Sequence, residues 1–216
     1  MVIRLNEIVE ISLRSIYVNT FATALASFIA IPFALVVDFW KSKFKNVVVL
    51  IFQSLMGIPP VLVGLLVFLL FSRSGPFGGL DILFSSTAMI IAQVLIAFPI
   101  VFSVCYSHFS RTDEKLKLIV KTLGASNLQA AATIVRESLP GVISAVLTAF
   151  GRVAGEVGAV MIVGGNIAGR TRVLTTAIVL YTNLGKFKEA IFAGLCLLAI
   201  AIGVNLIATF ISFRWR

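Results

Sequence analysis

Residues 110–140 read SRTDEKLKLIVKTLGASNLQAAATIVRESLP. Leu116, Ile119, Val120 and Leu123 precede Gly124, and Leu128, Ala131, Ala132, Val135 and Leu139 follow it. Both sets recur at helical spacing, which marks amphipathic helices, and a glycine is the usual end of a helix. Ser110 with Asp113, and Ser126 with Gln129, have the spacing of capping boxes. The spacing therefore predicts a helix–Gly turn–helix hairpin that is basic on its polar side and stops at Pro140. An ordinary surface hairpin has the same pattern, so spacing alone leaves a docking role and a bland one open.

The hairpin is embedded in a chain built for lipid. Of its 216 residues 59% are hydrophobic and only 12% charged, where soluble domains carry roughly 25% charged residues. Five apolar segments are long enough to span: Ser15–Val37, Val47–Phe71, Leu83–Tyr106, Pro140–Val163 and Ala190–Ile211. A span needs about 20 residues, so the expectation is an all-α integral membrane fold with five transmembrane helices, one domain over 1–216, and a cytoplasmic loop at 110–139. Residues 3–14 mix charge with Ile, Leu and Val and are expected as a short interfacial helix. Residues 172–187 are apolar in the middle but too short to span, and read as a short helix at one mouth of the bundle. The first residues lack a signal-peptide pattern. Cys105 and Cys196 fall in apolar stretches without a CxxC partner and read as small buried hydrophobes.

Basic residues set orientation. With 110–139 cytoplasmic, Lys41, Lys43, Lys45, Arg111, Lys115, Lys117, Lys121, Arg136, Arg214 and Arg216 lie inside; Arg4, Arg14, Arg73, Arg170, Arg172, Lys186 and Lys188 lie outside. The excess predicts an outside N-terminus and a cytoplasmic C-terminus. A net charge of +9 on a membrane chain points to anionic headgroups rather than nucleic acid.

Two apolar segments carry features that a plain anchor would not need. In SLMGIPPVLVG (54–64), Gly57, Pro59 and Pro60 fall near mid-membrane. A double proline interrupts the helical ladder, and freed backbone groups at that depth require protein or water around them. Discontinuous helices accompany transport pathways, although a structural kink has the same signature. Pro32 and Pro99 are the milder single-proline case. In FGRVAGEVGAVMIVGGN (150–166), Arg152 and Glu156 sit inside the fourth segment. Their i, i+4 spacing allows pairing, which offsets the desolvation each would suffer alone. A neutral packing pair and a gate element on a pathway are both open. Gly151, Gly155 and Ala159, like Ala22, Ala26, Ala30 and Ala34, predict close-packed helix faces.

VKTLGAS, followed by Leu-Pro at the next span, resembles the cytoplasmic "EAA" loop of ATP-binding-cassette importer permeases. The resemblance places Gly124 at that loop's central glycine and Leu139-Pro140 at its end. It makes Lys121, Thr122, Leu123, Gly124, Ala125, Ser126 and Leu128 the segment that docks on an ATPase subunit. Leu118-Ile119-Val120 stands where the family has Glu-Ala-Ala, and the stretch from Gly124 to Pro140 is longer by about one helical turn. Coupling by a glutamate at 118 is therefore excluded, and docking by shape and backbone stays open. SLMGIPPVLVGLLVFLLFSRSGPFGGL (54–80), AMIIAQVLIAFPI (88–100) and GEVGAVMIVGGNIAGRTRVLTTAI (155–178) are similar to the tungstate-transporter permeases of the molybdate/tungstate/sulfate branch, GEVGAV and GGNIAGRTR being the most specific.

The resemblance implies a type I importer permease core, MetI-like, in a prokaryotic cytoplasmic membrane. It implies a second permease copy forming a homodimer, a cytoplasmic ATPase dimer that carries ATP and Mg, and an extracytoplasmic oxyanion-binding protein. Tungstate is the favoured cargo, with molybdate and sulfate as the alternatives. A tetrahedral dianion is held by hydroxyl, N–H and guanidinium donors. Arg170, Thr171, Arg172, Thr175 and Thr176 supply such groups at the proposed outer mouth. With Asn166, Gly57, Pro59, Pro60, Arg152 and Glu156 they are the pathway and gate candidates. Solvated loop charge is the competing reading for the arginines.

Other chemistry finds little support. There is no G-x-x-x-x-G-K-[ST] phosphate loop, since Gly185-Lys186 is followed by Phe187. The chain is thus expected to bind no cofactor and to lack an ATPase site. His108 is the only histidine and has no partners for a zinc site. A secondary transporter or channel would explain the broken helix and the charged pair, yet would leave the Gly124 hairpin without a role.

Overall fold

The computed structural model describes residues 5–111 and 126–214, and within them it is all helical. The helices are α1 (Leu5–Phe39), α2 (Lys45–Leu55), α3 (Pro60–Phe71), α4 (Ser86–Arg111), α5 (Asn127–Glu137), α6 (Leu139–Ala154), α7 (Gly158–Gly164), α8 (Leu174–Asn183) and α9 (Phe187–Arg214), with a short 3₁₀ turn at Gly78–Leu80. Among the described residues, three helices are long and apolar enough to cross a bilayer, or up to five if each bent pair is one span.

α1 packs along α4, and the predicted alanine stripe is the reason it can. Ala22, Ala26, Ala30 and Ala34 are fully buried, in line with Val18 and Val37. Small residues four apart let two backbones approach closely where lipid supplies no hydrophobic drive. Pro32 and Pro99 lie inside helices that continue through them. The rings of Phe33, Phe52, Phe98 and Phe102 meet at centroid distances of 4.7–6.0 Å and fasten α2 to α1 and α4. One buried polar link crosses three helices. Gln93 Nε2 donates to Asn19 Oδ1 at 2.9 Å and to the Val153 carbonyl at 3.3 Å.

Four sequence expectations change. The interfacial helix expected at 3–14 is, from Leu5 on, the first part of α1, which runs 35 residues without a break. At 1.5 Å per residue that is about 52 Å, well beyond a hydrocarbon core of about 30 Å. Ile8 and Ile11 keep it helical outside the core by packing on Leu174, Ala177, Tyr181, Ala190 and Ala193. Ser110 is not a helix start. α4 runs on to Arg111, and the Ser110 hydroxyl donates back to the Ser107 carbonyl; Asp113 lies outside the described residues. The fourth span is discontinuous, with α6 ending at Ala154 and α7 starting at Gly158. The Gly151–Gly155 face packs on nothing among the described residues of this chain. A Cβ built on Gly151 meets no atom within 4 Å, and one on Gly155 meets only the Gly151 carbonyl at 3.7 Å.

The double proline does what its chemistry requires. α2 and α3 meet at 100°, with Pro59 extended and Pro60 opening α3. The short helix predicted within 172–187 is α8.

Glycine at 64 has a separate cause. A Cβ there would stand 2.6 Å from Ala159 Cα, so α3 and α7 touch backbone to backbone. Gly64→Ala is expected to force the two apart and lower stability by roughly 1–3 kcal/mol. Gly57→Ala, whose Cβ would come no closer than 3.6 Å to any atom, should be tolerated. Thermal unfolding of the detergent-solubilised protein reads both, and equal loss in the two variants would contradict this packing.

Candidate functional site

The two helix breaks lie side by side. At the first, Met56, Gly57 and Ile58 N–H groups donate to the carbonyls of Gln53, Ser54 and Leu55, and the Pro59 carbonyl accepts from Leu62 and Val63. An open cavity of about 510 Å³ lies here, with Ser54, Gly57, Ile58 and Pro59 in its wall. Beyond it, a Cβ on Gly158 would come within 2.5 Å of Val61 Cγ2, so the start of α7 sits against the first turn of α3.

At the second break, Glu156 makes the connections. Its Oε2 pairs with Arg152 Nη1 at 2.9 Å. Its Oε1 accepts from Ala159 N at 3.2 Å, satisfying a donor that the first turn of a helix leaves free. Its carbonyl accepts from Thr175 Oγ1 at 3.0 Å. One residue thus joins the end of α6, the start of α7 and the first turn of α8. The partners are unequally placed, Glu156 with 7% of its side chain exposed and Arg152 with 39%. The pair predicted from i, i+4 spacing is present, but it spans a helix end.

The outer-mouth candidates are divided. The Thr171 hydroxyl donates to the Gly164 carbonyl at 2.6 Å and accepts from Ile167 N at 2.9 Å. Thr176 caps α8 through Val173. The hydroxyl protons of Thr171, Thr175 and Thr176 therefore rest on backbone carbonyls, and all three residues are buried. Asn166 stands in the left-handed region at φ 51° between loop residues, and its Oδ1 has no hydrogen-bond partner among the described residues. Arg172 pairs with Glu7 at 3.4 Å. Arg14 donates to the carbonyls of Gly169 (2.8 Å) and Arg172 (3.2 Å) and pairs with Glu10. Ser15 Oγ receives Leu174 N at 2.8 Å. One charged pair, the two carbonyl bonds of Arg14 and a hydroxyl thus clamp the loop after α7 to α1. Tyr181 shares Glu7 at 3.4 Å; burial and then that carboxylate push its phenol above its usual value, with Arg172 pulling partly back. Arg170 is exposed, as are Lys186 and Lys188.

Of the docking segment, Lys121, Thr122, Leu123, Gly124 and Ala125 lie outside the described residues. Ser126 and Gln129 form the predicted capping box, at 2.8 and 3.3 Å, and Leu128 lies in the first turn of α5. α5 meets α6 at 71°. Among the described residues no group of three or more His, Cys, Asp or Glu could hold a metal ion. Sequence reading missed the Gln93–Asn19 link and the tie from Thr175 to Glu156. A glutamine and an asparagine inside apolar runs were the signal for the first.

Arg152→Ala strands a buried carboxylate and is expected to cost roughly 2–4 kcal/mol. Glu156→Gln keeps an acceptor for Ala159 N and should cost about 1 kcal/mol. Thermal unfolding gives both, and an equal or reversed order would contradict the unequal burial. Thr171→Val should destabilise by roughly 1–3 kcal/mol through the two backbone groups it abandons. Unchanged stability would return its hydroxyl to the list of free donors.

Known proteins match this architecture. Residues 26–216 fit the family described as binding-protein-dependent transport system inner membrane component. The tungstate uptake system permease protein TupB of Peptoclostridium acidaminophilum is 40% identical over 199 residues, 92% of this chain and 87% of that protein. A probable anion ABC transporter permease protein of Haloferax volcanii is 39% identical, covering 94% of this chain and 90% of its own. The molybdenum transport system permease protein ModB of Haemophilus influenzae is 30% identical over 74% of the chain and 73% of that protein. An inward-facing structure of the MetNI methionine ABC transporter superposes with a TM-score of 0.82 at 15% identity, covering 98% of this chain and 97% of the other; it shows the fold, a type I importer permease core. With 191 of its residues inside the family's match and its fold shared, the chain belongs to the inner membrane components of binding-protein-dependent transport systems, as a multi-pass permease subunit without an ATPase site.

Proposed function

We propose that the chain is the permease subunit of an ATP-driven importer for a tetrahedral oxyanion, tungstate before molybdate or sulfate. The observation that carries the cargo is the near full-length similarity, at 40% identity, to a tungstate uptake permease. The molybdenum permease stands further off at 30%. A secondary carrier or channel is disfavoured because the family depends on a binding protein.

In this reading the N-terminus is outside and the C-terminus cytoplasmic. Two copies enclose the pathway, a cytoplasmic ATPase dimer carries ATP and Mg, and an extracytoplasmic oxyanion-binding protein delivers cargo. Residues 121–128 would dock on the ATPase. The geometry supports a direct mechanical route from there. α5 turns through 71° into α6 with only Ser138 between them, and α6 ends at the Arg152–Glu156 break. Closure of the ATPase dimer, by displacing α5, would swing α6 and so shift that pair and the neighbouring α2–α3 bend. Alternating access needs only that the anion favour one state over the other, because a ligand shifts an equilibrium by its differential affinity.

Copurification and uptake test this together. The permease should retain an ATPase subunit, and proteoliposomes of that complex with its binding protein should accumulate tungstate only with ATP. A permease that moves anions without ATPase or binding protein overturns the proposal, and preference for molybdate or sulfate overturns the cargo. At the mouth, Arg172 is already paired with Glu7 and Arg170 is the exposed arginine. Arg170→Gln should slow uptake several-fold at low salt and little at high salt, as long-range steering requires; salt-independent uptake equal to the parent would remove Arg170 from the pathway.

A further inference from the structure

The exposed surface of α6 differs from those of α1 and α9, two long helices beside it. The exposed residues of α6 are Ser144, Thr148 and Gly151, and Gly155 continues the line. Between residues 139 and 164 no large hydrophobic side chain is exposed, whereas α9 presents Ile191, Leu195, Leu198, Ile202, Leu206 and Phe210. A helix against acyl chains shows the second pattern. The α6 stripe repeats at i, i+4, i+7 and i+11, so it is one straight face about 16 Å long. At its C-terminal end the space over Gly151 and Gly155 is open, and Arg152 flanks it.

Arg152 decides what the face meets. One of its five N–H donors is committed to Glu156, and 39% of its side chain is exposed. A guanidinium edge turned to hydrocarbon at mid-span is strongly disfavoured, so the edge faces water, an anion or a second copy. Thr148 rests its proton on the Ser144 carbonyl at 2.8 Å, which leaves Arg152 as the strong donor of the stripe. Its planar fork fits two oxygens of a tetrahedral dianion. Glu156 has both oxygens engaged, on Arg152 and on the Ala159 N–H; it fixes the guanidinium and leaves the local charge near neutral, so that an anion is met without being trapped.

We propose, resting on the importer reading above, that the Ser144–Thr148–Gly151–Gly155 face of α6 is a wall of the anion pathway, with Arg152 the cargo contact and Glu156 its positioning residue. The competing occupant is the α6 face of a second copy, packed through the same small residues. The assembled complex with its ATPase, carrying Cys105→Ala and Cys196→Ala, tests this with Ser144→Cys, Thr148→Cys and the control Leu198→Cys. A membrane-impermeant, sulfonate-bearing thiol reagent should modify Cys at 144 and 148 but not at 198, and tungstate should slow that reaction several-fold. Unreactive thiols at 144 and 148, or reaction that tungstate leaves unchanged, overturn the pathway wall.

The charge swap Arg152→Glu with Glu156→Arg separates contact from charge balance. The pair survives in it, and the anion would face a carboxylate. The swapped complex should assemble and hydrolyse ATP yet take up tungstate more than tenfold slower than the parent, while Arg152→Lys keeps part of the rate. Parental uptake by the swapped complex overturns the contact. If the swap fails to assemble, Arg152→Gln against Arg152→Lys in an assembled complex gives the same decision, equal rates overturning it. Parent vesicles report separately: no ATP-driven uptake of any oxyanion by them fails the importer reading itself, and uptake by them with an indifferent swap fails only this inference.

Discussion

A hydrocarbon interior offers no hydrogen-bond partner, so a helix that breaks there must close the break with its own chain. This constraint governs the centre of the molecule. The two breaks are closed by different means. Around Gly57 the freed groups are taken up by neighbouring backbone, in tight bonds to residues three before, as in the 3₁₀ turns that punctuate helices. Around Glu156 local backbone is not enough. A side-chain carboxylate serves α7, and a threonine nineteen residues further on serves the Glu156 carbonyl. A break closed by local bonds can change its angle without consulting the rest of the fold. One closed through α6, α7 and α8 moves only with all three, which makes the α2–α3 bend the compliant side of the site and the Glu156 junction the rigid one.

The N-terminal end of α1 is tied down as firmly. α1 stands beyond the hydrocarbon core and grips the loop after α7 through Arg14, Ser15 and the Glu7–Arg172 pair, over a small apolar cluster of its own. Exposed ion pairs alone contribute little; here they lie over buried Ile8, Ile11 and Leu174, and the two backbone carbonyls bound by Arg14 add direction. Part of the positive charge that sequence assigned to the outer face is thereby neutralised. Among the described residues, what is left on that face is Arg73, Arg170 and the two lysines near the start of α9.

The spans, the proline break and the alanine stripe were legible because each is written in residue type at fixed spacing. Ala22, Ala26, Ala30 and Ala34 can only be a contact line, and two adjacent prolines cannot remain in a ladder. The fourth span's break was not legible in that way. No proline marks it, and Glu156 reads as one half of an i, i+4 pair on a continuous helix until its second oxygen is seen on Ala159 N. Gly151 and Gly155 read as a packing motif because spacing cannot say whether a partner lies in the same chain. The threonines at 171, 175 and 176 were correct as donors by type, and their protons are spent on carbonyls that only the folded loop brings near. Ser110 shows the same limit: a capping residue by pattern, it sits inside α4 and bonds backwards.

In the proposed pathway, the arrangement at Arg152 suits what transport asks of a binding group. A bare guanidinium in a low-dielectric site would hold a dianion strongly in every conformation, and equal affinity for all states moves nothing. Burying a carboxylate beside it removes most of the standing attraction and leaves directional donors, whose fit depends on where the cargo and the facing wall stand. The carboxylate could have been contributed by any neighbouring helix. Its position four residues on, across the end of α6, means that the carboxylate which moderates the charge also caps α7, while the main-chain carbonyl of the same residue holds α8. Any motion that reshapes the pathway at this point must therefore carry the moderated charge with it, intact.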